Sequence, residues 1–160
     1  MSSSISRTDK EIIEIYNRNV NTIYKICFMY MKNKYDTEDM VQSTFIKMLE
    51  KNICFETLEH EKAWLIVTAT NMCKNKLKHW WRSNKNIDEY EFGYNEKEDD
   101  TITLLLGLPD KYKTVMYMFY YEYYKTVEIA SILKINESTI ISYLLRGRKM
   151  LKFRLEDLNE

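Results

Sequence analysis

Apolar residues recur at helical spacing along most of the chain. Over residues 9–33, Ile12, Ile15, Tyr16, Ile23, Ile26, Cys27 and Tyr30 form one stripe, which predicts a first helix broken by "NKYD". Asp36 is the expected cap of a second helix, "DTEDMVQSTFIKMLEK", with Glu38 and Asp39 near the positive end of its dipole. Met40, Val41, Thr44, Phe45, Met48 and Leu49 make its apolar stripe. Asp39, Gln42, Ser43 and Lys47 lie away from the centre of that stripe. "NICFETLEH" reads as a connection. A third helix is predicted from about Glu59 to Arg82, a stretch with neither Gly nor Pro. Beyond residue 100 come "TITLLLG", then "LPDKYKTVMYMFYYEYY" with Pro109 in a first turn. "TVEIASILK", a turn "INES" and a last helix through about Leu155 complete the chain.

Composition sharpens this pattern. Three Gly and one Pro in 160 residues predict an almost entirely helical fold with short connections. Residues 84–100 change character: Asp88, Glu89, Glu91, Glu96, Glu98, Asp99 and Asp100 face only Lys85 and Lys97. That predicts a solvated acidic linker. The expected fold class is all-α: a helical domain over 1–83, the linker over 84–100, and a helix-turn-helix domain over 101–160.

Lys plus Arg and Asp plus Glu are balanced at 24 each, yet the charges are segregated. Between Lys62 and Lys85 the charged residues are Lys62, Lys74, Lys76, Lys78, Arg82 and Lys85, with no acid. Between Lys134 and Arg154, Lys134, Arg146, Arg148, Lys149, Lys152 and Arg154 oppose Glu137 alone. One such run is as often a solvated face as a binding site. Two runs on separate helices point to a polyanion.

Cys27, Cys54 and Cys73 are odd in number and widely spaced, so buried thiols in a reducing cytoplasm are expected rather than disulfides or a zinc site. His60 and His79 are too few for a histidine-rich metal site. "MSSSISRTDKEI" is no signal peptide, and no apolar run approaches the ~20 residues of a membrane span. A cytoplasmic protein without membrane insertion is expected.

The segment "TVEIASILKINESTIISYLLRGRKML" carries the strongest signal. Ile129, Leu133 and Ile135 point to a core, and Ala130 is small where two helices cross. Asn136 suits the cap of the last helix, and Glu137 its first turn. Ile140, Leu144, Gly147 and Leu151 make an inward stripe with a small residue at the approach. The other face holds Ser138, Thr139, Ile141, Ser142, Leu145, Arg146 and Lys149. In a helix-turn-helix, the start of the second helix enters the major groove. Ser142 and Arg146 suit base edges or phosphates there, and Ile141 and Leu145 suit thymine methyl groups. A plain helical hairpin with a basic surface is the competing reading, and it leaves Ile141 and Leu145 unexplained.

Wound at about 100° per residue, the third helix splits its paired tryptophans. Leu65, Ile66, Ala69, Met72, Cys73, Leu77 and Trp80 share an apolar arc, so Trp80 is expected in the core. Trp64, Asn71, Lys74, Asn75, Lys78 and Arg82 lie opposite, and Trp81 falls on the border beside Lys74, Lys78 and Lys85. Trp81 either caps the core edge or stacks on a base. Trp64 is a second candidate contact, with packing against the preceding loop as the alternative.

These blocks resemble the short, two-domain extracytoplasmic-function sigma factors of bacterial RNA polymerase, of the sigma-70 family. The likeness runs from about residue 9 to 155 in the family's order. "YDTEDMVQSTFIKMLEK" resembles the second helix of the family's first domain, and "KAWLIVTATNMCKNKLK" its promoter-melting and −10-reading helix. "LPDKYKTVMYMFYYEYYKTVEIASILKINESTIISYLLRGRKML" resembles its −35-reading domain. The resemblance implies that the second helix docks on a coiled coil of the polymerase's largest subunit, with Asp39 and Gln42 at matching polar positions and Ser43 and Lys47 beside them. It places Trp64, Asn71, Lys74, Lys78, Trp81 and Arg82 on the −10 strand, and the last helix in the −35 element.

Some positions depart from the family. Ile141 and Tyr143 stand where a basic residue is frequent, Lys134 where the turn usually has Gly, and Val67 and Thr70 where arginines are common. Ser43 replaces a frequent Glu. Fewer cations mean fewer phosphate contacts and a smaller salt-dependent term. The implied partners are core RNA polymerase and promoter DNA, with an anti-sigma protein as a further family partner. No nucleophile–base set, Gly-rich phosphate loop or metal-ligand cluster is present, so neither catalysis nor a cofactor is expected. Two other readings fit parts of the chain. A helix-turn-helix regulator acting without polymerase needs only residues 102–155. A sigma-like decoy would bind polymerase or an inhibitor without starting transcription.

Overall fold

The structure is a computed structural model, and it describes residues 7–83 and 100–158. Seven helices run through the described residues, in two compact units, Met1–Tyr94 and Asn95–Glu160.

The first unit packs α1 (Asp9–Met31), α2 (Lys34–Lys51) and α3 (Leu58–Arg82) against one another. Thr8 caps α1, its hydroxyl accepting from the Glu11 amide at 3.2 Å. Lys32 then takes a left-handed conformation, φ 65°, which ends α1 two residues before the expected 33. Asn33, not Asp36, caps α2. Its Oδ1 accepts from the Asp36 amide at 2.8 Å, and its Nδ2 donates to the Asp36 carboxylate at 2.7 Å. The two side chains close a reciprocal cap, so Asp36 falls inside the first turn, where its charge meets the helix dipole. Thr57 caps α3 by accepting from the His60 amide at 3.0 Å.

The core of this unit includes Ile23, Ile26, Phe28, Met48, Leu65, Ile66 and Ala69, all fully or almost fully buried. Leu49 is a correction: it is 44% exposed and not part of the buried stripe of α2. Met48 fills the inward position one residue earlier. Cys27 and Cys73 are buried side by side, and the Cys73 contact together with burial holds the Cys27 pKa well above the ordinary thiol value. Cys54, also expected buried, is exposed in the α2–α3 connection.

One polar cluster ties α1 to α3. The Arg18 guanidinium grips the nearly buried Glu61 carboxylate through two bonds of 2.7 and 2.6 Å. Asn19 Nδ2 adds a third at 3.0 Å. Burial pushes the Glu61 pKa up, but the bonds from Arg18 and Asn19 outweigh it and hold it below the usual carboxylate range.

The second unit holds α4 (Asp100–Leu106), α5 (Asp110–Tyr120), α6 (Thr126–Leu133) and α7 (Glu137–Leu158). The predicted acidic linker lies outside the described residues except for Asp100, which begins α4. Pro109 is the cap residue of α5, one place ahead of the expected first turn. Its missing N–H is no loss at a helix start. The last helix continues past Leu155 to Leu158.

Helices α5, α6 and α7 pack pairwise. Ile129, Met116, Ile140 and Leu144 form their core. Ala130 and Leu133 are only half-buried. At Gly147 α7 passes close to α5: a Cβ there would meet the Met116 Sδ at 2.7 Å.

Candidate nucleic-acid and protein interfaces

Two side-chain hydrogen bonds at the start of α6 hold the α6–α7 hairpin. Glu128 reaches back to the Lys125 amide at 2.9 Å, and the Thr126 hydroxyl donates to Glu137 at 3.0 Å, joining the starts of the two helices. Lys134 carries the turn with φ 57° and ψ 45°, a left-handed conformation in which Gly is free of strain. The Asn136 carbonyl then accepts from the Thr139 and Ile140 amides at 3.0 and 3.1 Å, which opens α7.

Because Ile140, Leu144 and Gly147 face inward, the remaining positions of α7 face out. Ser138, Ile141, Leu145, Arg146 and Lys149 are exposed, and Thr139 and Ser142 are half-buried at the margin. Arg148 and Lys152, not among the predicted contacts, are exposed on the same helix. Their place in the basic run was the available signal. Tyr143 turns inward instead, its ring 5.2 Å from Tyr112 and edge-on to it. A basic residue there would lose that packing.

On α3, the tryptophan pair divides. Trp80 is 5% exposed and Trp81 76%. Lys76 Nζ lies 5.9 Å from the Trp80 ring centre. Asn71, Lys78 and Arg82 are exposed and Lys74 is half-buried, all on one side at helical spacing with Trp81 at its C-terminal end. Trp64 stands apart from them. It is half-buried about 10 Å before Asn71 along the axis, and its ring packs 5.8 Å from Phe55. Phe55 also meets His60 at 5.4 Å and Arg7 at 5.2 Å, so the connection closes around it. Trp64 thus packs on the preceding connection with one side and remains half-exposed on the other.

The outward face of α2 carries Asp39, Gln42 and Lys47, all exposed, with Ser43 half-buried. Helical spacing puts Ile46, 52% exposed, near the middle of this face and Leu49 at its edge. Sequence reading missed Ile46 as part of the surface. An isoleucine off the buried stripe was the sign that could have found it. Tyr35, at the start of the helix, extends the same apolar strip. Among the described residues, no helix is long and apolar enough to cross a membrane.

Comparison with known proteins gives these surfaces a family. Residues 15–84 match the sigma-70 region 2 family, and residues 99–151 match sigma-70, region 4. The chain is 30% identical over 144 residues to the RNA polymerase sigma factor SigV of Bacillus subtilis, covering 85% of this chain and 87% of that one. It is 28% identical over 174 residues to the ECF RNA polymerase sigma factor SigW of the same organism, covering 92% and 89%. Its fold is similar to that of the sigma factor RpoE of Bartonella quintana, solved in complex with the anti-sigma factor NepR. The TM-score is 0.76 at 18% identity, over 92% of this chain and 98% of that one. The chain belongs to the ECF-type RNA polymerase sigma factors of the sigma-70 family.

Proposed function

We propose that this sigma factor docks on core RNA polymerase through α2 and directs initiation by reading a −10 and a −35 element. Asp39, Gln42, Ser43, Ile46 and Lys47 form the docking face. Asn71, Lys74, Lys78, Trp81 and Arg82 meet the opened −10 strand. Ser138, Thr139, Ile141, Ser142, Leu145, Arg146 and Lys149 meet the −35 duplex. The observation that carries this reading is the separation of surfaces within the first unit. The apolar and polar strip of α2 and the cationic, aromatic strip of α3 are distinct outward faces.

The chemistry stays with the polymerase, and this chain supplies choice. Two modest DNA modules on one chain gain avidity when both engage, which suits a net-neutral protein. Opening follows from capture of unstacked bases on Trp81 and its polar neighbours. The chain acts in the cytoplasm. By likeness to the Bartonella factor solved with NepR, an anti-sigma protein is a further partner.

Run-off transcription with core polymerase on an AT-rich genomic library tests the reading. Specific starts support it. Duplex binding without polymerase would replace it with a simple regulator, and co-purification with polymerase without starts with a decoy.

A further inference from the structure

We propose that Ile141 and Leu145 set base choice in the −35 element by contacting thymine methyl groups, an inference that rests on the sigma reading above. The two side chains are 44% and 57% exposed. They sit on the outward face of α7 with Ser142, Arg146 and Lys149 around them. Neither is needed inside: Ile140, Leu144 and Gly147 fill the inward side, and Tyr143 packs on Tyr112.

The cations select the occupant. Arg146, Arg148, Lys149 and Lys152 lie exposed on the same helix, so whatever covers the apolar pair brings negative charge. A phosphate-walled groove does that. The apolar group that the major groove offers is the C5-methyl of thymine. Four residues apart on a helix, Ile141 and Leu145 are about 6 Å apart along the axis, roughly two base steps. Ser142 lies beside them and is placed to bond a base edge or a phosphate.

Deoxyuridine provides the test, because it lacks only the methyl. Promoter fragments are recovered from starts made by core polymerase with this chain on the genomic library. Each thymine of the −35 block is then replaced by deoxyuridine, and holoenzyme binding is measured. Binding falls about three- to fivefold at one or two thymines within roughly three base steps of each other. In Ile141→Ala and Leu145→Ala, checked for folding by circular dichroism, the loss at the matching thymine disappears. Specific starts with unchanged binding at every uridine would overturn the assignment. So would a uridine loss that persists in both variants. Absence of specific starts would overturn the sigma reading and this inference together.

Discussion

Gly147 on α7 and Met116 on α5 occupy one crossing: a Cβ at 147 would lie 2.7 Å from the Met116 Sδ. Met116 is fully buried, so its thioether has little room to swing away. Gly147→Ala gains about 1 kcal/mol of helix propensity but pushes on that thioether. Overpacking of this kind costs about 1–3 kcal/mol, so the alanine variant loses up to about 2 kcal/mol and Gly147→Leu about 3 kcal/mol. Urea unfolding followed by circular dichroism measures both. A leucine variant as stable as the parent would contradict the crossing.

The Arg18–Glu61 fork makes a second prediction. Arg18→Met leaves the nearly buried Glu61 carboxylate without its cation. Removing one partner of a buried pair costs about 3–5 kcal/mol, and the partial exposure of Arg18 reduces this to about 2 kcal/mol. The sign of the pH effect follows. In the parent the folded pKa of Glu61 is depressed. Its stabilisation is therefore fully present above the unfolded carboxyl pKa and is lost as pH falls through the lower, folded value. In Arg18→Met the main contact that lowers the pKa is gone while burial still opposes the charged form, so acid removes less stability from the variant than from the parent. The stability gap between parent and variant narrows with acidification in pH-dependent urea titrations. A gap that widens would exclude this role for the pair.

Trp80 and Trp81 separate folding from DNA opening. Trp80→Ala removes a buried indole and loses about 3–5 kcal/mol. Trp81→Ala alters an exposed side chain and shifts stability by less than about 0.5 kcal/mol. Trp81→Ala slows promoter opening, followed by the fluorescence of 2-aminopurine placed in the −10 block. Normal opening with a large loss of thermal stability would reverse the assignment.

The α2 face is tested by Ile46→Glu and Gln42→Ala. Each weakens binding to core polymerase, Ile46→Glu by more than about fivefold, the scale of a substantial interface residue. Arg146→Ala leaves that binding intact and weakens promoter recognition. Fluorescence anisotropy of labelled protein against core polymerase measures the first effect. Equal losses for Arg146→Ala and Gln42→Ala would end the division of labour between α2 and α7.

Helical periodicity made most of the architecture legible, because each helix buries one stripe on a small core. The α7 face was readable for the same reason: Ile140, Leu144 and Gly147 mark its inside, so its outside follows. Other features depend on partners distant in sequence. Arg18 and Glu61 are 43 residues apart, and no local pattern pairs them. Trp64 lies on the polar arc of the wheel, and the wheel alone does not show its contact with Phe55, which lies in a connection without periodicity. Leu49 looked buried because a stripe drawn on one helix does not say where its neighbours stop. Asn33 took the cap from Asp36 because the left-handed Lys32 turned the chain earlier than the charge pattern suggested.

The decisive measurement maps transcript 5′ ends made by core polymerase with and without this protein on an AT-rich genomic library. Starts that appear only with the protein, preceded by two shared sequence blocks at fixed spacing, are the predicted result. Start positions identical to those of core polymerase alone, from a protein that still binds it, would contradict promoter selection by this chain.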